Sequence, residues 1–162
     1  MPNAAADGHL DHDVDPHADP HLLARLRCVP WSTLAAVSAG GVLGALARYG
    51  LTSAFPYGPG EFPWPVFGIN ASGCLAIGVL MVLVTEVRRA HPLVRPFLGV
   101  GVLGGFTTFS TYVVDIQQAV EDGAPAMALG YLAGTLAAAL VAVYTGVRLT
   151  RLLSRPRAGN RP

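Results

Sequence analysis

The sequence predicts an all-α membrane protein in which each subunit has four transmembrane helices. Hydrophobic residues make up 52% of the 162 residues and charged residues only 13%, whereas an average soluble domain carries roughly 25% charged residues. The charges are clustered, and four long uncharged stretches separate the clusters. A helix needs roughly 20 predominantly apolar residues to cross the hydrocarbon core of a bilayer, so each stretch is long enough to span a membrane.

The predicted spans, taken in chain order, cover residues 28–47, 64–85, 96–114 and 123–147. The first of them can continue through Arg48 to about Phe55. Aromatic side chains favour the headgroup layer, and four of them lie near the starts of spans: Trp31, Phe62, Trp64 and Phe97. Helices buried in a soluble core are the alternative, but four such stretches in succession argue against it.

Three regions are predicted along the chain: a disordered Asp- and His-rich tail over residues 1–27, a four-helix transmembrane domain over 28–150, and a basic tail over 151–162. The first tail lacks a basic start followed by an apolar run, so it is not a secretory signal peptide. Its histidines could bind a metal weakly, although a solvated, unstructured tail is the favoured interpretation. Cys28 and Cys74 form no redox motif and are interpreted as small apolar packing residues.

The distribution of arginine predicts the orientation. Arginines cluster before the first span, between the second and third, and after the fourth, and Arg48 is the single exception. The other two loops carry only acids, which are Glu61 in one loop and Asp115, Glu121 and Asp122 in the other. Because basic loops stay on the cytoplasmic side, both termini are predicted to be cytoplasmic, in a multi-pass protein of the cell (plasma) membrane.

Small residues recur at four-residue spacing within the spans. The pairs are Gly40 with Gly44, Gly101 with Gly105, and Gly130 with Gly134. Such pairs let helix backbones approach closely in lipid, and we interpret them as packing positions. Four short spans leave little room for an internal pathway, so an oligomer is expected.

Polar groups inside spans face a cavity or a partner, because lipid cannot satisfy them. Arg48, Asn70 and residues 104–112 are the three such places. In the last of them two glycines precede four hydroxyl residues, which predicts a third helix broken in mid-membrane, with carbonyl oxygens suited to Na⁺. Phe109 and Tyr112 share a helix face and could turn their positive ring edges towards an anion; simple core packing is the alternative.

The sequence argues against an enzyme and against proton coupling. It contains no phosphate-binding glycine loop, no HExxH motif and no nucleophile triad. A proton-coupled transporter needs a titratable group at membrane depth, and the predicted spans contain no Asp or Glu. These absences favour passive conduction.

Three motifs, in order in successive spans, carry a resemblance. Residues 40–49 read GGVLGALARY, residues 70–73 read NASG, and residues 104–112 read GGFTTFSTY. They resemble the GGxxGAxxRY, NxxG and GGxTTFSTF signatures of the Fluc (CrcB) fluoride channel family. The resemblance covers roughly residues 34–150, and it departs from the family at Tyr112, where phenylalanine is usual.

The resemblance implies an antiparallel (dual-topology) dimer with two pores, each lined by both subunits. It implies a structural Na⁺ at the dimer interface, held by the main-chain carbonyls of Gly104 and Thr107. It also implies that several side chains line the fluoride path or its mouth, and these are Asn70, Phe109, Tyr112, Tyr131, Thr135 and, at the mouth, Arg48.

The expected function is passive export of cytoplasmic fluoride for detoxification. Hydrogen-bond donors would replace the water that fluoride holds tightly, and the expected donors are Asn70, Thr111, Tyr131 and Thr135. Arg48 would attract anions near a pore mouth or bind a lipid phosphate. The one-sided arginine distribution favours a heterodimer with a related, inverted chain over a homodimer. The alternatives are a small dual-topology multidrug-type transporter and a non-conducting membrane assembly protein.

Overall fold

The structure is a computed structural model that describes residues 30–87 and 91–154. The chain divides after Pro30, and every described helix belongs to the unit that begins at Trp31. The predictions for the tail 1–27, for Cys28 and for the basic residues Arg88 and Arg89 lie outside the described residues. The same holds for residues 155–162 of the predicted C-terminal tail.

Five helices are present in the described part of the chain. Helix α1 covers Trp31–Ala54, α4 covers Ser110–Glu121 and α5 covers Pro125–Ser154. Helix α2 covers Trp64–Val82 and is prolonged in π-helical form over Leu83–Val87. Helix α3 is π-helical over Arg95–Leu103 and α-helical over Gly104–Phe106.

These helices supply four segments that are long and apolar enough to cross a membrane: Trp31–Ala54, Trp64–Glu86, Arg95–Glu121 and Pro125–Ser154. The prediction of an all-helical chain with four spans is thereby confirmed for the described residues. The third segment, formed by α3 and α4, is longer than predicted. Its helix does not end at Val114 but continues to Glu121, so Asp115 lies within α4 and not in a loop.

Glycine brings α1 and α3 into close contact. A Cβ atom on Gly40 would meet the backbone of Gly101, and one on Gly105 would meet the carbonyl oxygen of Gly41. Two of the predicted glycine pairs therefore face each other across one helix–helix contact. Close backbone approach of this kind is the usual basis of helix packing in lipid.

A second glycine contact joins α2 to α5, and no repeated motif in the sequence indicates it. A Cβ atom on Gly78 would meet the carbonyl oxygen of Val143, and one on Gly146 would meet that of Leu75. Gly130 and Gly134 behave differently, because a Cβ atom on either would meet nothing within 4 Å. That predicted pair packs against no other helix among the described residues.

Replacing Gly44 with alanine should destabilise the fold. The added methyl group would collide with the backbone of Val102 and Phe106, which cannot move aside as a side-chain tip can. Overpacking of this kind reduces stability by about 1–3 kcal/mol. Thermal unfolding in detergent measures the effect, and Gly50→Ala on the same helix is the matched control because its Cβ would meet nothing. Equal unfolding temperatures for the two variants would show that close approach at Gly44 is unimportant.

Candidate functional site

Three non-helical residues, Thr107 to Phe109, separate α3 from α4, and we call them the interruption. Thr107 leaves the helix with extended backbone angles, φ −74° and ψ 154°. Its N–H and its hydroxyl both donate to the carbonyl oxygen of Leu103, at 3.0 and 2.9 Å. Gly104 and Gly105 lie just before it, and glycine lowers helix stability. The sequence therefore favours the end of α3 at this point.

The side chain of Asn70 satisfies the backbone of the interruption. Its Nδ2 donates to the carbonyl oxygen of Thr108 at 2.9 Å, and its Oδ1 accepts from the Thr108 N–H at 2.9 Å. Asn70 lies on α2 and is only 9% exposed. One amide group thus replaces the two hydrogen bonds that the missing helical turn would have supplied.

Threonine hydroxyls organise the start of α4. The Thr108 hydroxyl accepts from the N–H of Thr111 at 3.2 Å, which satisfies one of the free N–H groups at the helix start. The same Thr108 hydroxyl donates to the hydroxyl oxygen of Thr111 at 3.1 Å. Thr111, expected from the sequence to line the path, therefore keeps its own hydroxyl proton available for another acceptor.

A groove of about 710 Å³ opens beside the interruption. Six of the residues expected at the fluoride path or the sodium site line it: Asn70, Gly104, Thr107, Phe109, Tyr112 and Thr135. The hydroxyl of Thr135 is buried and has no hydrogen-bond partner among the described residues. The wall is otherwise largely apolar, so the unpaired hydroxyl marks a place where a polar ligand would be stabilised.

The two aromatic rings of the motif lie side by side at this groove. The centroids of Phe109 and Tyr112 are 6.0 Å apart, with their planes tilted by 48°. Phe109 is 77% exposed, whereas Tyr112 is partly covered. The Tyr112 hydroxyl donates to the carbonyl oxygen of Leu132 at 2.9 Å. The hydroxyl group that distinguishes Tyr112 from a phenylalanine is therefore bonded to the backbone of α5.

Tyr131 is fully buried behind Tyr112, and it is not among the residues that line the groove. Its ring meets the rings of Tyr112 and Phe62 edge to face, with centroid distances of 5.1 and 5.2 Å. Its hydroxyl donates to Oδ2 of Asp115 at 3.4 Å. Tyr131 therefore packs against the ring of Tyr112 on the side away from the groove.

Asp115 is a residue of the site that the sequence prediction missed. It is 9% exposed, and the Tyr57 hydroxyl donates to its Oδ1 at 2.8 Å. Burial, followed by the hydrogen bond and the charge of Asp115, raises the pKa of Tyr57 well above its usual value, so this phenol stays protonated. The sequence did contain a signal for this position. Asp115 is four residues from both Thr111 and Ala119, and this spacing continues one helix face past Val114.

Asp115 and Tyr57 line a second cavity, of about 390 Å³, formed with the segment that links α1 to α2. Three further acids line this cavity: Glu61, Glu121 and Asp122. Among the described residues, none that lines it is basic. We call it the acidic cavity.

Arg48 reaches the helix that precedes the interruption. Its Nε donates to the carbonyl oxygen of Gly105 at 3.2 Å, and the side chain is partly buried. The carbonyl oxygens of Gly104 and Thr107, implied as sodium ligands, accept no hydrogen bond within the described residues. The guanidinium group of Arg48 therefore binds the carbonyl oxygen of Gly105, which in the sequence lies between the two free carbonyls of Gly104 and Thr107.

Comparison with known proteins gives a consistent result. Residues 35–147 match the family model described as CrcB-like protein, Camphor Resistance (CrcB). Fluoride-specific ion channel FluC 2 of Nocardia farcinica is 54% identical over 128 residues, which cover 79% of this chain and 91% of that protein. Fluoride-specific ion channel FluC 1 of Streptomyces coelicolor is 57% identical over 111 residues, covering 68% and 72% respectively. FluC 2 of Thermobifida fusca is 50% identical over 123 residues, covering 76% and 91%.

Replacing Asn70 with leucine should loosen the interruption. Leucine has a similar size but leaves the part-buried N–H and carbonyl of Thr108 without partners, and an unsatisfied group costs up to about 1–3 kcal/mol when it is buried. Thermal unfolding and hydrogen exchange at the Thr108 amide measure the change. Ser72→Ala on the same helix is the control, because that hydroxyl bonds only to Ile69 of its own helix. Unchanged exchange at Thr108 would contradict the role assigned to Asn70.

Proposed function

The chain belongs to the CrcB family, and from this premise we propose that it is a fluoride-selective ion channel that exports cytoplasmic fluoride passively. The observation that carries the proposal is the 50–57% identity to proteins named fluoride-specific ion channels, over most of the transmembrane domain. Such a channel catalyses no reaction. Its task is fluoride detoxification, since hydrogen fluoride enters as a neutral molecule and leaves as the anion.

The groove supplies the groups that would replace the hydration shell of fluoride. Thr135 has an unpaired hydroxyl among the described residues, and the Asn70 amide has a second N–H beyond the one given to Thr108. Thr111 also keeps its hydroxyl proton, but it is not among the residues that line the groove. The ring edges of Phe109 and Tyr112 add weakly positive surface. The donors are all neutral, so an anion can be held without being trapped, as conduction requires.

Tyr131 is the fourth donor expected from the sequence, and its hydroxyl is directed at Asp115 in this subunit. We therefore assign it a supporting role: its ring backs the ring of Tyr112. Direct donation to fluoride from Tyr131 would require the hydroxyl to turn away from the carboxylate.

A sodium ion fits the third span at the interruption. Carbonyl oxygens are the hard ligands that such a cation prefers, and those of Gly104 and Thr107 are free of hydrogen bonds within the described residues. Thr107 turns its backbone out of the helix, and both residues border the open groove. When bound, the ion would neutralise carbonyl dipoles that would otherwise repel an anion.

An antiparallel dimer would complete the pathway. A single subunit forms an open groove, and Phe109 remains largely exposed in it. Gly130 and Gly134 of α5 are small residues with nothing packed on them in the described part of the chain, which suits the close approach of a second subunit. In this arrangement each of the two pores has walls from both subunits.

The inverted subunit is proposed to be a related chain with opposite loop charges. Arginine distribution favours one orientation for this chain, with both termini cytoplasmic, in the cell membrane. Two of the relatives, named FluC 2 and FluC 3, come from one organism, so two related chains can occur in one cell. A paralogue with basic residues in the opposite loops would insert the other way round.

The channel is favoured over the two alternatives. The absence of acids from the predicted spans argued against a proton-coupled drug transporter. This absence does not hold in the structure, because Asp115 lies within α4. Asp115 is nevertheless bound to two phenols, six residues before the end of its helix. A non-conducting assembly protein would not account for the buried hydroxyl of Thr135 in the wall of the groove, which lacks a partner among the described residues.

The assembled channel should release fluoride from liposomes much faster than chloride, and Phe109→Ile should reduce this flux. Loss of the ring edge removes a weak anion contact in a narrow path, and a loss of about 1.4 kcal/mol corresponds to tenfold slower flux. A fluoride electrode measures the release. Phe55→Ile, which removes an exposed ring away from the groove, is the control. Unchanged flux in the Phe109 variant would refute the role of the ring.

The heterodimer proposal makes a separate prediction. Expressed alone in bacteria that lack other fluoride channels, this chain should give little fluoride resistance, because its arginines direct every copy into one orientation. Co-expression with a paralogue of opposite loop charge should restore growth in fluoride. Full resistance from this chain alone would exclude an obligatory heterodimer while leaving the channel function intact.

A further inference from the structure

Asp115 is the only charged side chain that is buried among the described residues. A buried carboxylate needs hydrogen-bond donors or a counter-charge, because burial removes the water that stabilises it. No basic residue of the described chain lines the acidic cavity at Asp115, where the other charges are also negative. The negative charge of Asp115 is therefore compensated by phenol hydroxyl groups alone within the described residues.

The two phenols that bond to Asp115 contribute unequally. The hydrogen bond from Tyr57 is 2.8 Å long, a normal length for an O–H···O bond, whereas that from Tyr131 is 3.4 Å. Tyr57 belongs to the segment between α1 and α2, outside the membrane-spanning helices. The main compensation for the buried charge thus comes from a loop.

The charge lies close to the groups assigned to the anion path. Asp115 is three residues after Tyr112 and four after Thr111 on α4, so it lies beside each of them on the helix surface. Tyr131 contacts both the carboxylate and the ring of Tyr112. A poorly compensated carboxylate would therefore oppose an anion in the groove.

We propose that Tyr57 is a positioning residue for fluoride conduction, which compensates the Asp115 carboxylate from the loop and thereby limits its repulsion of the anion. The proposal rests on the proposed channel function. It assigns a role in conduction to a residue that neither lines the groove nor belongs to the three sequence motifs.

The test compares three variants of the assembled channel with the parent protein in planar bilayers and liposomes. Tyr57→Phe removes only the hydroxyl group and should lower the fluoride current of each open channel about five- to tenfold. Asp115→Asn removes the charge and should conduct at least as well as the parent. The double variant Tyr57→Phe/Asp115→Asn should recover most of the current, because no charge remains to be compensated.

Two readouts separate repulsion from structural damage. A damaged channel lowers the fraction of vesicles that release fluoride, whereas repulsion lowers the current of each active channel. Tyr144→Phe is the matched control, because it removes another phenol bonded to a charged side chain, Arg148, in a part of α5 that does not line the groove. This control should leave the current of each channel unchanged.

Normal current per channel in Tyr57→Phe would overturn the proposal. So would a double variant that conducts no better than Tyr57→Phe, or a loss seen only in the number of active vesicles. Failure of the channel function itself looks different, since the parent protein would then release no fluoride, and both proposals would be wrong together.

Discussion

The paired hydrogen bonds between the Asn70 amide and the backbone of Thr108 are the interaction on which the rest of the site depends. In lipid, an unwound backbone is tolerated only where its polar groups are satisfied within the protein or face a water-filled cavity. Asn70 meets this requirement for one residue and leaves the neighbouring carbonyls free. The third span can therefore stop being helical at Thr107 without leaving the N–H and C=O of Thr108 unpaired, and Phe109 lies exposed at the groove.

Close packing of α1 against α3 holds the helical side of the interruption in place. Glycines on both helices bring the backbones together, and this contact ends where Arg48 donates to Gly105. An arginine at this position has two consequences. It satisfies one carbonyl at the end of α3, and it places a positive charge beside Gly105, which lies between Gly104 and Thr107 in the sequence. A cation held by the carbonyls of Gly104 and Thr107 would have to be stable beside a guanidinium group, which favours a single monovalent ion over a divalent one.

Much of this fold could be predicted from the sequence, because uncharged length and arginine clustering report directly on the membrane. The interruption was also recognisable, since paired glycines followed by hydroxyl residues are unusual within a span. The position of Asp115 was harder to predict: its four-residue spacing from Thr111 and Ala119 continues a helix face, but a charge at the end of an apolar stretch usually marks the end of a span. Its burial depends on Tyr57 and Tyr131, which are distant in sequence. The contact of Gly78 with α5 was unpredictable for a similar reason: Gly78 pairs with a single glycine, Gly146, far along the chain and not with a repeated motif.

The sequence predicted four hydrogen-bond donors, which are Asn70, Thr111, Tyr131 and Thr135. Only the structure shows which of their N–H and O–H groups already donate to another atom. A hydroxyl has one proton, so a hydroxyl that donates to a carboxylate or a carbonyl has none left for an anion. By this criterion the hydroxyl protons of Thr135 and Thr111 are available, and one of the two N–H groups of the Asn70 amide is already used. The hydroxyls of Tyr131 and Tyr112 already donate to other groups, so these two residues contribute only their rings. The tyrosine at position 112 is consistent with this scheme. Because its hydroxyl is bound to Leu132, the surface that it presents beside Phe109 is that of an aromatic ring, as a phenylalanine would present.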